Sequence, residues 1–538
     1  MSFVKYELNL GNLIKSSVVR NPNQEIVDSE FGRTSFIDFH NDVNALAKGL
    51  IKIGVQPKDK VGILDWDTIN FLKSFYAVPI AGAVLHTVNI RYPVELIYYT
   101  IQHAEDSYLI LRDEIAKRFI EYKDLFGFIK GWIIYRTSGD HTVFPFENVI
   151  YFEDLLKTTD NIPLPHVSED DTATIFYTSG TTGMPKGVSF THRDIVLHAF
   201  SIANTISDYP ISLGSRTTLM PLVPMFHVHA WGLPQLFLLK GVKYVLPGRY
   251  DPEKILDLMK NENVSATAMV PSILYMLISA KSGKEILPQL NLKCIIGGGA
   301  LTSELKKKAK EMNIKVIGAY GLSETAPLVS LSTINSQVQN LDEDALEEYG
   351  IKAGIPGPFV EIKILKAKDE NAVIGGYDFG EILVRAPYLT KEYYKDPEAT
   401  KKLWAEGWLH TGDLGYLDEN GYLCIVDREK DAVKSGGEFI PSLILEDIVG
   451  LYGPIDQVAI IGKKDGKWGE RPVAFYTSEK TVKKEEVDEF LKKFVKQRKI
   501  EKFWMPDEYV KVESFELTST GKVDKKKIRE KYLANNQE

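Results

Sequence analysis

Short apolar, β-branched runs alternate with segments of helical apolar spacing as far as about Ala353, and this alternation most restricts how the chain can fold. Residues 24–36 read as two short strands around a turn at Phe31, Gly32 and Arg33. A helix follows, with Val43, Leu46, Ala47, Leu50 and Ile53 on one face and Gly54 as its stop. Residues 60–64 and 81–88 read as strands flanking a helix over 71–78. Further on, 251–260, 272–279 and 304–312 are expected as helices, and 264–270, 294–296 and 315–317 as strands. Such alternation implies parallel sheet covered by helices on both faces.

Beyond Ala353 the texture changes to short alternating strands over 360–365, 380–384 and 421–426, which suggests an antiparallel sheet or small barrel. A compact α+β unit follows, with strands at 457–461 and 471–477 and a helix whose Val487, Phe490, Leu491 and Phe494 line one face. Between the two stand Asp427, Arg428, Glu429, Lys430 and Asp431, a charge run read as a hydrated hinge. The expected architecture is a large α/β N-terminal domain over 1–426, a hinge at 427–431 and a small mobile α+β domain over 432–538. The large domain would combine parallel sheets and helices with a small antiparallel barrel-like subdomain.

Composition narrows the function classes. A net charge of −8 and a pI near 5.8 argue against a nucleic-acid partner. Two cysteines, Cys294 and Cys424, make a disulfide framework or zinc site unexpected and fit a reducing interior. The longest apolar runs, 76–85 and 233–239, fall well short of the roughly 20 residues a membrane helix needs. Neither a signal peptide nor a basic amphipathic anchor is apparent, so a cytoplasmic chain without stable membrane insertion is expected.

The chemistry is concentrated in Tyr177-Thr178-Ser179-Gly180-Thr181-Thr182-Gly183-Met184-Pro185-Lys186-Gly187, which follows the strand-like Ala173-Thr174-Ile175-Phe176. Glycines allow backbone N–H groups to converge on an anion, hydroxyls add donors, and Lys186 adds a mobile positive charge. Pro185 breaks the Walker A pattern, so polyphosphate would be handled by another route.

This stretch resembles the phosphate-loop signature of the adenylate-forming superfamily, which includes acyl-CoA synthetases, luciferases and peptide-synthetase adenylation domains. The resemblance runs from Gly32-Arg33-Thr34 to Lys522. It implies an ATP site built by Thr178, Ser179, Gly180, Thr181, Thr182, Gly183 and Lys186, with Gly318, Ala319, Tyr320, Ser323, Asp413, Arg428 and Lys434. Tyr320 would meet the adenine, Ser323 the α-phosphate and Asp413 both ribose hydroxyls, while Glu324 and Thr178 would hold Mg²⁺. Asp427 is implied as the hinge pivot, Gly436 and Gly437 as the pantetheine contact of coenzyme A, and Lys522 as the lysine stabilising charge during adenylation.

Pro224-Met225-Phe226-His227-Val228-His229-Ala230-Trp231 resembles a segment of fatty-acyl-CoA synthetases in which the tryptophan gates an acyl tunnel. Trp231 is therefore the expected gate, with Phe226 and a catalytic His227 at the carboxylate end. Gly298 and Gly299, within Gly297–Ala300, would form a wall without side-chain bulk, leaving space for a methylene chain. Metal ligation by His227 and His229 is not expected, because no acidic or cysteine partner lies nearby. The implied reaction is ATP-dependent ligation of a medium- or long-chain fatty acid to coenzyme A. Short, hydroxy or aryl acids and a non-catalytic adenylate-binding protein are the alternatives; a non-catalytic module would be expected to have lost Lys522 or Glu324. Homodimers through the large domain are common among the enzymes it resembles.

Overall fold

The computed structural model describes residues 5–137, 142–178, 184–366, 373–374, 377–518 and 521–535. The strand–helix alternation is divided over two large sheets. The first has eight strands, ordered Tyr393–Tyr394, Lys186–Thr191, Thr172–Thr178, Val84–Thr87, Lys60–Leu64, Asp106–Arg112, Gly131–Tyr135 and Val149–Tyr151. The second has nine, ordered Ile355–Pro356, Leu328–Leu331, Lys315–Gly321, Lys293–Ile296, Ala266–Met269, Thr218–Leu222, Lys243–Leu246, Glu25–Asp28 and Gly32–Ser35. Their central strands pair in parallel. Gly131–Tyr135 and Thr218–Leu222 are buried at every residue, as strands covered on both faces must be.

The helix Ile69–Ile80 is buried along its whole length, the signature of a helix enclosed by apolar neighbours. One hydrophobic core takes in this helix and residues of both sheets, among them Ile63, Leu85, Leu219 and Ile317. Tyr76 reaches out of it to donate to the Pro234 carbonyl at 2.5 Å, tying it to the helix Leu233–Lys240. A second core, including Leu256, Met259, Leu274 and Leu277, covers the other face of the second sheet.

The strands after Ala353 form a five-stranded antiparallel sheet containing Glu361–Lys366, Gly380–Arg385, Trp408–Leu417, Trp404–Ala405 and Leu423–Arg428. The last part of the chain builds another five-stranded sheet around its own core, which includes Val433, Leu445, Ile460, Val487 and Leu491.

The charge run between them corrects the sequence expectation of a hydrated segment. Asp427 is only 1% exposed and accepts the Ser442 amide at 2.5 Å. Asp431 pairs with Arg529 at 2.9 Å and Arg428 with Asp413 at 2.9 Å. Only Glu429 and Lys430 are exposed. The burial has a cause: partners arrive from distant segments and replace the water that Asp427, Arg428 and Asp431 would otherwise require.

Candidate active site

Thr172–Thr178 and Lys186–Thr191 are the two arms of an antiparallel hairpin, and Thr178 stands directly across from Lys186. Ser179, Gly180, Thr181, Thr182 and Gly183 lie outside the described residues. The Lys186 ammonium lies 4.7 Å from the centre of the Tyr393 ring, a cation–π distance. Tyr393 then donates to Glu324 Oε1 at 2.6 Å. The strand carrying Tyr393 pairs with the strand of Lys186, so the phosphate hairpin and the Glu324 segment are braced together. Tyr393 was missed in the sequence, where nothing distinguishes one tyrosine in a polar stretch from a surface residue.

Three adjacent parallel strands, Ala266–Met269, Lys293–Ile296 and Lys315–Gly321, end on one side of the second sheet. Loops beyond such carboxyl ends are where open α/β sheets bind ligands. They carry Val270, Gly297–Gly299 and Ser323–Glu324. Asp413 is 4% exposed; its Oδ2 accepts the Tyr320 hydroxyl at 2.9 Å, and its Oδ1 pairs with Arg428 Nε at 2.9 Å. Arg428 faces Asp413 across the antiparallel pairing of their strands, and the carboxylate holds the guanidinium pKa up. A carboxylate offers about four lone-pair sites, so both oxygens keep capacity for a sugar diol. At Gly318 a Cβ would stand 2.1 Å from the Lys352 carbonyl, so close packing of residues 351–352 accounts for this glycine on that side. Ala319 and Ser323 are half-buried in the same segment.

Lys522 arrives from the end of the chain. Thr518 and Lys522 close a tight turn, with the Thr518 amide donating to the Lys522 carbonyl at 2.7 Å. Ser519 and Thr520 lie outside the described residues. A Cβ on Gly521 would meet Ser272 Oγ at 3.0 Å, and one on Gly298 would meet Lys522 Cε at 3.4 Å, so two glycines let the lysine enter. Burial first, and then the nearby Arg428, push the Lys522 pKa down to about 8, while Asp413 pulls the other way.

The segment carrying the expected gate has unusual backbone. Val228, His229, Ala230, Trp231 and Gly232 all have positive φ, 39°, 56°, 44°, 59° and 76°. For residues other than glycine the left-handed region costs about 1–2 kcal/mol each, so the surroundings must hold the turn. His229 supplies one anchor: its Nε2 lies 2.8 Å from Thr174 Oγ1 and its ring meets Phe75, Phe176 and Phe190 edge-on. Trp231 supplies another, with indole carbons 3.2 and 3.6 Å from where Cβ atoms of Gly297 and Gly298 would stand. This corrects the expectation of an open glycine wall, because the indole fills the space the glycines vacate.

Phe226 is buried, with its carbonyl accepting from Thr87 Oγ1 at 3.2 Å. Burial first, then the positive charges of Lys522 and Arg91, push His227 down to about 3. Such an imidazole is a poor general base at neutral pH, so His227 can contribute shape and hydrogen bonds instead. It opens on a narrow cleft lined by Arg91, Tyr250, Val270, Ile273 and Gly521.

Three expected residues stand apart from this group. Lys434 is exposed, with its ammonium 5.5 Å from the Phe439 ring centre. Gly436 and Gly437, at φ 63° and 89°, form the two-residue turn of a hairpin, which requires this backbone. The Gly436 amide donates to the Trp468 carbonyl at 2.7 Å, and a Cβ on Gly437 would meet no atom of the described residues within 4 Å.

Comparison with known proteins identifies the family. The model of the AMP-binding enzymes matches residues 14–394, and that of the AMP-binding enzyme C-terminal domain matches 445–522. A medium-chain-fatty-acid–CoA ligase of Ectopseudomonas oleovorans is 31% identical, over 98% of this chain and 97% of its own length. A long-chain-fatty-acid–CoA ligase of Thermus thermophilus is 32% identical, over 98% of this chain and 96% of its own. Among solved structures, an anthranilate CoA ligase in complex with anthranoyl-AMP superposes with a TM-score of 0.83 at 19% identity, covering 98% of both chains, a likeness of fold. The chain belongs to the AMP-binding enzymes, the adenylate-forming superfamily that its phosphate-loop residues resemble.

Proposed function

We propose that this protein joins a medium- to long-chain fatty acid to coenzyme A through an acyl-adenylate, releasing AMP and pyrophosphate. The observation that carries the reading is the approach of Lys522, from the end of the chain, to within 3.4 Å of the Cβ position of Gly298, in the charge field of Asp413, Arg428 and Glu324.

In the first step a carboxylate oxygen of the acid bonds to the α-phosphorus of ATP as the bond to pyrophosphate breaks. Asp413 holds the ribose, braced by Tyr320 and Arg428. Lys186 and the hydroxyls of the hairpin meet the leaving phosphates. Lys522 bridges the carboxylate and α-phosphate, stabilising charge that develops in the transition state. Glu324 fits Mg²⁺ because it is half-buried and keeps one carboxylate oxygen free of the Tyr393 hydroxyl; with Thr178 it would form a hard oxygen donor set. Held there with ATP, the ion would supply neutralisation of phosphate charge.

In the second step the small domain, 432–538, turns about 427–431 against the large domain, 1–426. Lys522 then leaves, and Gly436 and Gly437 approach the pantetheine arm. The coenzyme A sulfur bonds to the acyl carbon, AMP departs with the electron pair of the acyl–oxygen bond, and the thiol proton passes to solvent. In this reading the protein acts in the cytoplasm and assembles as a homodimer through the large domain.

Trp231, packed against Gly297 and Gly298, supports the fatty reading as a gate that would swing aside to admit a chain. The same residue favours a second reading: in the filled position it leaves the site to a short, hydroxy or aryl acid. AMP release measured over straight-chain acids from acetate to palmitate and over hydroxy and aryl acids, with and without coenzyme A, separates them. Coenzyme A-dependent release peaking at a medium or long chain is expected. Release confined to short or aryl acids, or release without need of coenzyme A, would overturn the substrate assignment. A monomer in scattering at all accessible concentrations would remove the dimer.

A further inference from the structure

The helix Ser303–Glu311 begins just after the glycine loop that faces Lys522. The first N–H groups of a helix have no partner within it and must be satisfied from outside. Thr302 caps one of them, its hydroxyl accepting the Leu305 amide at 3.3 Å. The Ser303 amide is satisfied by a residue from much later in the sequence. It donates to Asp447 Oδ1 at 2.6 Å, while the Ser303 hydroxyl donates to Asp447 Oδ2 at 2.8 Å. Asp447 lies on the helix Ser442–Gly450, whose Leu445, Ile448 and Val449 belong to the separate core of the C-terminal sheet. A carboxylate from one unit thus caps a helix of the other, where helix dipole and charge-assisted hydrogen bonds act together.

The helix carrying Asp447 is tied to the catalytic lysine's segment. The next residue back, Glu446, pairs with Lys525 at 2.6 Å, three residues beyond Lys522. Lys525 also donates to Ser442 Oγ at 2.7 Å, and the Ser442 amide donates to Asp427. Asp447 and the Lys522 segment are therefore linked as one body within the C-terminal unit, bonded at Ser442 to Asp427 of the hinge. That body grips the glycine loop at both ends, through Lys522 at Gly298 and Asp447 at Ser303.

We propose that Asp447 is a positioning residue for adenylation, holding Lys522 in place by capping Ser303–Glu311 from the other unit. The inference rests on the two-step reading above. Asp447 touches no reacting atom, and its bonds to Ser303 break when the small domain turns. Its loss therefore weakens only the adenylating arrangement.

The test uses full-length enzyme with Asp447→Ala, Asp447→Asn, Ser303→Ala and the Ser303→Ala/Asp447→Ala double variant. Decanoate-dependent exchange of pyrophosphate into ATP reports the first step, and transfer from preformed decanoyl-adenylate to coenzyme A reports the second. Replacing a charge-assisted pair should lower the exchange kcat about 10- to 100-fold, with KM for the acid unchanged and transfer undiminished. The double variant should lose no more than the worse single one. The near-isosteric Asp447→Asn keeps the test valid if the alanine variant melts early. Equal loss in both half-reactions, additive loss in the double variant, or no loss in either would overturn the proposal. An independent readout is hydrogen exchange at the Ser303 amide, protected in the wild type and exposed in Asp447→Ala; unchanged protection would also overturn it. If the wild type supports no exchange with any acid while this amide pattern holds, the adenylation reading has failed, and the proposal with it, although the contact exists.

Discussion

Replacing Gly298 by alanine tests the meeting of Lys522, Trp231 and the glycine loop in a single substitution. Gly298 sits at φ +74°, where a residue with a Cβ loses about 1–2 kcal/mol. The added methyl would stand 3.2 Å from Val270 Cγ1, 3.4 Å from Lys522 Cε and 3.6 Å from Trp231 Cζ2. The first contact is tight and involves a buried β-branched side chain with little freedom to move. The second is relieved only if Lys522 retreats. Together these should destabilise the protein by about 2 kcal/mol, the lower part of the range for overpacking plus the backbone cost. Urea unfolding should show a shifted midpoint with an unchanged slope. Exchange of pyrophosphate into ATP should fall by more than transfer from preformed acyl-adenylate, because Lys522 serves only the first. Wild-type stability together with wild-type exchange would refute both the left-handed backbone at Gly298 and the close approach of Lys522.

Lys522→Ala should cripple adenylation and largely spare transfer to coenzyme A; equal loss of both would remove its assigned role. Because burial lowers Lys522 to about 8 and bound phosphates would raise it again, nucleotide binding at pH 8.5 should take up protons, measurable by calorimetry in buffers of different ionisation enthalpy and absent in Lys522→Ala. Trp231→Ala should shift the preferred acid chain length while leaving ATP affinity unchanged, and an unchanged acid profile would take the gate role away. Burial lowers His198, His227 and His229 to about 3 in the fold. As pH falls below about 6.5, the unfolded chain gains protons that the folded one refuses. Stability should therefore be full above that pH and decline toward pH 3, by up to about 1.4 kcal/mol per pH unit for each histidine. A melting temperature that stays flat between pH 7.5 and 5 would contradict this.

Much of the proposed machinery was legible in short motifs. The phosphate hairpin shows its glycines, hydroxyls and lysine by local chemistry, whereas the roles of the Tyr320–Glu324 segment, Asp413 and Lys522 came from the resemblance of their stretches to those of a known family. The strands and helices up to Ala353 were legible for a related reason, since apolar periodicity is a local property that survives in the fold.

What the sequence alone could not decide involves partners far apart along the chain. Tyr393 joins Lys186 to Glu324 only because its short strand is added to the edge of the first sheet. Asp427 read as hydrated because its neighbours are charged, yet Ser442 folds over it. Nothing in its lysine-rich stretch marks Lys525, yet Glu446 meets it at an ion pair whose two side chains are each 13% exposed. The glycines at 297 and 298 promised open space, and the space went to an indole carried on a left-handed turn held by Thr174 and three phenylalanines. Local sequence determined which groups could do the chemistry. Which of them are buried, paired or displaced was decided by tertiary contacts, because the cost of removing a charge or a strained turn from water is met only by partners that the fold brings together.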